Sequence, residues 1–467
     1  MMTSEELQAR LSELAAGILV PGAAAAILTG DEVVTAVTGT ANKNTGADVV
    51  PETLFAAGSI TKVFTASLVM TLVDEGLVEL DAPVQKYLPD FTLTDPVRSA
   101  AVTVRMLLSH TSGMPNSDLL DDPTGPDAVA MFMERLKTVP IMGTPGKQFS
   151  YSNSGMVTLG RIVEVITKLS YDEALQQRIL RPLGLNATTD AERMILGPTA
   201  IGHLADPAAG TAQPAPVFRK YYGNAPAGST LWLDVAALIG FARMHLDGGR
   251  AADGRQVLSE NSVTAMRVPQ IDNWGGYPYP LWGLGWGAVE VDGRRVVVHG
   301  GGNIGMASTL WVIPDRNAAV AVLTNSTSGH GLNAVLAAEI LAREFGFVLP
   351  APPSAPQEPV PVDPTPYVGR YTSSQGDLVV FSEEGRLFVA QKPEPGLAEA
   401  QKLMAGIAPS ELTHMPMTCI DAERSRFLVQ MGPEGAPLGF VPMDFLEPDA
   451  DGRPRLARFT FLAERVD

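Results

Sequence analysis

Between Pro350 and Pro366 the chain reads PAPPSAPQEPVPVDPTP, with eight prolines in seventeen residues. Each proline fixes φ and removes a backbone N–H, so neither a helix nor a central strand can run through this segment. What remains open to it is an extended, semi-rigid spacer. The chain is therefore expected to fold in two pieces: a body over 1–349 and a tail over 367–467, joined by the linker 350–366. The body is long enough to bury a large core, and 45% hydrophobic against 18% charged residues describes a globular protein, not a disordered one. No repeat of fixed period is visible.

In the body, Ser4–Leu14 reads as a helix, and Ala23–Leu28 and Val33–Gly39 as strands around the Thr29–Asp31 turn. Helical patterns broken by Gly/Pro-rich loops follow from Ser59 to about Ile179. Arg294–His299, Ala307–Ile313 and Ala318–Thr324 are rich in β-formers, and Pro314-Asp315-Arg316-Asn317 between the last two is a hairpin turn. Ala334–Phe345 reads as a closing helix. Strands at both ends around a helical insertion predict an α/β (α+β) domain: one mixed sheet plus an α-helical lobe. The tail has short β segments at Leu378–Phe381, Leu387–Ala390, Phe427–Gln430 and Phe459–Leu462. Turns at Glu384-Gly385 and Asp451-Gly452 separate them, which predicts a small antiparallel β-sandwich or barrel.

Charge and composition exclude several classes of function. Lys plus Arg number 34 against 51 Asp plus Glu, a formal charge of −17, which repels nucleic-acid phosphates and anionic lipid. The single cysteine, Cys419, rules out an internal disulfide framework. His110, His203, His245, His299, His330 and His414 are scattered, with no pair at metal-ligand spacing, so no metal centre is expected. The N-terminal decapeptide carries Glu5 and Glu6, the wrong sign for a secretory leader, and Gly17, Pro21 and Gly22 break the apolar stretch behind it. No window is long and apolar enough to span a bilayer. A cytoplasmic protein without a membrane partner is expected.

Three segments could carry chemistry. In Gly58-Ser59-Ile60-Thr61-Lys62, Ser59 and Lys62 stand three apart and share a helical face. The following Val63–Leu72 is almost wholly apolar, as in a helix buried all round. A lysine there is costly unless it takes part in chemistry, and burial favours the neutral amine, a base for the neighbouring hydroxyl. The plainer alternative is a helix-capping serine followed by a surface lysine. Phe149-Ser150-Tyr151-Ser152-Asn153-Ser154 follows a glycine loop and precedes the helical run Met156–Ile166, where Tyr151 could relay a proton. Helix capping by Ser152 or Asn153 is its plainer alternative; Tyr222-Gly223-Asn224 also fits Y-x-N, but the loop-to-helix setting of Tyr151 is better. Val296-Val297-Val298-His299-Gly300-Gly301-Gly302-Asn303 is a β-branched strand ending in His and three glycines, where a ligand can approach the backbone. Its glycines also fit G-x-G-x-x-G (Gly300, Gly302, Gly305), but a strand follows where a dinucleotide site needs a helix.

In this order the three segments resemble the serine β-lactamase and penicillin-binding-protein superfamily, whose motifs run S-x-x-K, Y-x-N and a K-T-G-like strand element. Leu107–Met114 and Ala227–Gly249 are similar to segments of its class C-like branch and of esterase relatives, so the resemblance covers roughly residues 5–348. One element departs: His299-Gly300-Gly301 stands where β-lactamases and transpeptidases have a lysine and a hydroxyl, which speaks against ordinary β-lactam hydrolysis. H-x-G is similar to the motif of D-aminopeptidases, certain carboxylesterases and penicillin-binding-protein-type thioesterases. Several of these carry C-terminal lipocalin-like domains. The tail has room for one, as the thioesterase type does.

The resemblance implies that Ser59 attacks an acyl carbonyl, Lys62 takes its proton and Tyr151 shuttles it to the leaving group. Asn153 and Lys62 would fix the tyrosine, and His299 would stabilise its oxygen or bind substrate. The backbone N–H groups of Ser59 and Gly302 would hold the oxyanion, with Gly300 and Gly301 lining the substrate strand. No cofactor is implied. Hydrolysis of an ester or a D-amino-acid amide or peptide is the first expectation, with a small-molecule or peptide acyl substrate. The second is release and macrocyclisation of a nonribosomal peptide, delivered on a carrier protein. A non-catalytic binding module is the third.

Overall fold

The apolar run Ala23–Leu28 forms a strand buried on both faces. In β1 (Gly22–Thr29), Ala24, Ala26 and Leu28 point into one core while Ala23, Ala25 and Ile27 point into another. Successive side chains of a strand alternate faces, so two cores demand an unbroken apolar sequence. The computed structural model describes residues 2–116, 123–218, 221–274, 279–356, 358–393, 413–431, 439–459 and 461–467.

β1 lies inside a nine-stranded sheet with β2 (Glu32–Asn42), β3 (Ala47–Asp48), β4 (Ile271–Asp272), β5 (Leu281–Trp282), β6 (Gly287–Val291), β7 (Arg294–Asn303), β8 (Met306–Ile313) and β9 (Ala318–Thr324), in the order β3-β2-β1-β9-β8-β7-β6-β5-β4. Ala25 sits opposite Ala36 on one side and Val322 on the other. One face is covered by α1 (Ser4–Gly17), started by a capping box between Thr3 and Glu6, and by the C-terminal helix of the body. The other face carries the helical lobe, including α2 (Thr61–Asp74), α3 (Asn153–Thr167) and α4 (Val235–Leu246). That C-terminal helix, α5 (Gly329–Phe345), begins five residues before the helix expected from Ala334.

The decisive feature for the site is the length of β7. Its first half pairs with β6 from Arg294 to Val298, while β8 pairs with it from Val297 through Asn303. The strand was expected to end at His299, yet it continues through all three glycines because β8 supplies partners for them. Past Val298 no described strand pairs with the opposite edge of β7.

The tail is a closed barrel of eight antiparallel strands, β10 (Gly369–Ser373), β11 (Gly376–Glu383), β12 (Arg386–Pro393), β13 (Met415–Asp421), β14 (Arg426–Met431), β15 (Gly439–Pro448), β16 (Pro454–Arg458) and β17 (Leu462–Arg465). Glu384 and Gly385 both have positive φ, the conformation a tight hairpin between β11 and β12 requires. Of the segment expected as a strand at 459–462, Thr460 lies outside the described residues, Leu462 opens β17, and Phe459 is buried in the barrel core. Tyr367, Tyr371, Phe427, Phe445 and Met443 fill that core. The proline-rich segment is not wholly a free spacer: Val360 N donates to Cys419 O (3.2 Å) and Val362 packs on the barrel. Among the described residues no helix is long and apolar enough to cross a membrane.

Candidate active site

Ser59 is placed by a short strand, Phe55–Ala56, that pairs with Trp232–Leu233 and then breaks at Gly58. Gly58 has φ +54°, and one 3-10 turn, Gly58–Ile60, leads into α2. β7 is pressed against this turn at the limit of contact. A Cβ on Gly58 would lie 2.6 Å from Gly302 N, and one on Gly301 would lie 2.2 Å from Ala57 O and 3.0 Å from Ser59 N. Ser308 Oγ on β8 donates to Ala57 O (2.8 Å) and ties the two backbones together. The amides of Ser59 and Gly302 therefore meet at one junction, the arrangement an oxyanion hole needs. Only residues without a side chain allow so close an approach.

α2 is buried on every side from Thr61 to Leu72, and Lys62 with it. Lys62 Nζ donates to Ser59 Oγ (3.0 Å) and to Ala227 O (2.6 Å), so the buried amine is fixed against the hydroxyl by a backbone carbonyl 165 residues away. The same nitrogen lies 4.8 Å from the centroid of the Tyr151 ring. A surface lysine is thereby excluded.

Tyr151 stands on the loop before α3, whose N-cap is Ser152, with its Oγ accepting from Gly155 N (2.9 Å). Asn153 opens the helix, and its backbone N donates to Asn116 Oδ1 (3.1 Å). The other Y-x-N match, Tyr222-Gly223-Asn224, leads into the turn Ala225–Ala227; its contribution to the site is the Ala227 carbonyl, while Tyr222 lines a separate cavity with Glu164 and Asp172.

His299 is buried on β7. Its Nδ1 lies 2.6 Å from Gly300 O, and since a carbonyl can only accept, Nδ1 carries the proton and Nε2 the lone pair. Burial, with Lys62 adding to it, pushes its pKa down to about 3. Nε2 has no hydrogen-bond partner among the described residues. A neutral imidazole with a free lone pair can accept from a hydroxyl or an ammonium, but it supplies no positive charge.

His110, counted above only among the scattered histidines and inside Leu107–Met114, is the main residue that sequence reasoning missed. Ser150 N donates to its carbonyl (2.8 Å) and Ser152 N to its Nδ1 (3.1 Å), so it grips the chain on both sides of Tyr151. Its ring centroid is 4.5 Å from that of Tyr151 and 5.0 Å from that of Trp282. Burial holds it well below the usual imidazole range, with Lys62 and His299 pushing the same way. Its backbone is left-handed, φ +55°. The signal was a histidine set among Ser109, Thr111 and Ser112 between apolar residues. The Ala227 carbonyl had no signal at all. Among the described residues no group of three or more His, Cys, Asp or Glu side chains could hold a metal ion.

A family model described as Beta-lactamase matches residues 7–344. Penicillin-binding protein 4 of Amycolatopsis lactamdurans is 36% identical over 362 residues, covering 76% of this chain and 94% of that protein. The crystal structure of SurE superposes with a TM-score of 0.80 at 26% identity over 99% of both chains, barrel included. D-amino acid amidase from Ochrobactrum anthropi SV3, at 22% identity and a TM-score of 0.59, shares the fold over 73% of this chain and 98% of its own. The chain belongs to the beta-lactamase family and has the serine-hydrolase fold of its penicillin-binding-protein branch.

Proposed function

We propose that the protein is a serine acyl hydrolase that forms an ester with Ser59 from an ester, amide or thioester of a D-configured amino acid or peptide. The observation that carries this reading is the buried Lys62 amine 3.0 Å from Ser59 Oγ, with Tyr151 beside it. Ser59 Oγ attacks the carbonyl as its proton passes to the Lys62 amine, and the amides of Ser59 and Gly302 take the charge developing on the carbonyl oxygen. Tyr151 hands the proton to the leaving group, which departs as an alcohol, amine or thiol. Water then attacks the acyl-enzyme, its proton returning through Tyr151 and Lys62 to Ser59, and the free acid leaves. The edge of β7 at His299–Asn303, which no described strand pairs, offers main-chain partners to an extended acyl chain. Neutral His299 replaces the lysine of the usual third motif, so this element supplies no cation for a β-lactam carboxylate. A structure of SurE with D-Leu supports the D configuration.

A second reading has an amine as acceptor, releasing a macrocyclic peptide from a carrier-bound thioester. The single C-terminal barrel favours it. The experiment is intact-protein mass spectrometry after mixing with a p-nitrophenyl ester, a D-amino-acid amide and a peptidyl thioester, each repeated on Ser59→Ala. An adduct lost in Ser59→Ala and decaying to free acid is expected. Decay to a cyclic or aminolysed product would replace the first reading with the second, and an adduct that persists in Ser59→Ala would refute both.

A further inference from the structure

We propose that the C-terminal barrel is a working part of the active site, and that Gln375 is the residue through which it positions the Tyr151 loop. The inference rests on the catalytic reading of Ser59 and Tyr151 given above.

The barrel meets the body at the elements that carry Tyr151. Gln375 lies in the turn between β10 and β11, its backbone N held by Ser373 Oγ (3.1 Å). Its side chain is buried, 5% exposed, and its Nε2 donates to the carbonyl of Asn116, itself 8% exposed. The Asn116 side chain in turn accepts from Asn153 N, two residues after Tyr151. On the other side of the tyrosine, Leu462 N of β17 donates to Ser150 Oγ (3.3 Å). The barrel thus holds Ser150 directly and reaches Asn153 through Asn116, while His110 accepts from the backbone on both sides of Tyr151. A third contact joins barrel and body where the Arg426 guanidinium lies 4.2 Å over the Trp274 ring.

The rest of the interface is an anchor. Met142 packs with Leu446, Leu456 and Leu462, and Glu464 Oε1 accepts from Arg98 Nη1 (2.7 Å) and Gly143 N (2.9 Å). An anchor alone would keep the barrel on the body. It does not call for a buried amide donating to the backbone of the loop that supplies Asn116. Without Gln375, a buried carbonyl loses its donor, and such groups rarely go unpaired. The loop would relax towards any other donor, taking Asn116 Oδ1 away from Asn153 N and loosening the start of α3. Tyr151 serves both acylation and deacylation, so misplacing it slows both steps while leaving substrate affinity alone.

The test uses the full chain. Gln375→Met keeps the volume without the donor or a buried charge, and Gln375→Glu is a second, isosteric variant should the first misfold. Hydrolysis of a p-nitrophenyl ester is followed with kcat and KM resolved, alongside melting temperature. We expect kcat to fall about tenfold, the equivalent of one net hydrogen bond, with KM and Tm nearly unchanged. Asn116→Ala should cost a similar factor, and the double variant should be little worse than either single one, because both act on one relay. Unchanged kcat, a loss confined to KM, a loss matched by a fall in Tm, or multiplicative effects in the double variant would each overturn the proposal. A wild-type protein that takes no acyl group on Ser59 would refute the reading beneath it as well, and the mass measurement distinguishes that case.

Discussion

Of the three consecutive glycines on β7, only Gly301 has no room for a side chain. A methyl group there would lie 2.2 Å from Ala57 O and 2.3 Å from Ser308 Oγ. An ordinary carbon–oxygen contact is about 1 Å longer, so β7 or the serine turn must move by roughly that amount. Neither obstacle yields easily: Ser308 Oγ is donating to Ala57 O (2.8 Å), and Ala57 N is held by Leu231 O (3.0 Å). The displacement falls between the amides of Ser59 and Gly302. Misplacing a catalytic group by about 1 Å costs about 100-fold, and losing an oxyanion donor about 100- to 1,000-fold. Gly301→Ala should therefore lower kcat/KM for a p-nitrophenyl ester by two to three orders of magnitude, with about 1–3 kcal/mol of overpacking strain. Gly300→Ala and Gly302→Ala should lose less than about tenfold, since their methyls meet the ends of the Tyr279 and His330 side chains at 3.1 and 3.3 Å. A Gly301→Ala enzyme within about threefold of wild type, or a Gly300→Ala enzyme equally impaired, would refute the argument that backbone proximity makes the hole.

Two further outcomes follow from the buried titratable side chains. Lys62→Met should reduce the rate of Ser59 acylation by about 100- to 10,000-fold, because the base is gone, while leaving the fold intact; acylation within tenfold of wild type, read by intact mass, would rule out Lys62 as the base. His299 has a folded-state pKa of about 3 against an ordinary value of 6.5, so below pH 6.5 the unfolded chain holds the extra proton. Its stabilisation is full above pH 6.5 and is lost as pH falls from there towards 3, at up to about 1.4 kcal/mol per pH unit. The stability of His299→Asn between pH 4.5 and 6 should accordingly depend on pH less steeply, by about one proton, in urea titrations; parallel slopes would show that His299 is protonated in the native state. Raised carboxyls such as Glu164 and Asp234 work in the opposite sense in both proteins and cancel in the comparison.

How far the site can be read along the chain depends on what kind of group does the work. Ser59 and Lys62 are legible because they are three apart on one helix, and a helix repeats every 3.6 residues whatever surrounds it. Their apolar context betrays burial, and burial makes the lysine conspicuous. The glycines of β7 are legible as backbone approach, though not which backbone they approach; Ala57 is nearly 250 residues distant. Pattern favours Tyr151 over Tyr222 only through its better loop-to-helix setting, since both Y-x-N matches lie on loops before helical turns. The separation is the 4.8 Å between Lys62 Nζ and the Tyr151 ring. His110 was visible as a motif and silent as to role, since its partners are backbone amides some 40 residues on.

The residues taken alone determined the division into body and tail, the unbroken apolar run that makes β1 a doubly buried strand, and the serine–lysine pair. Each of these is a local property: proline restricts φ, a strand alternates faces, a helix turns every few residues. Tertiary structure decided which tyrosine joins the pair, which carbonyl holds the lysine, which proton His299 keeps and where the barrel touches. Lys62 meets Ala227 across 165 residues and Gln375 meets Asn116 across 259. Contacts over such separations, many made by backbone groups common to every residue type, exist only once the chain has packed.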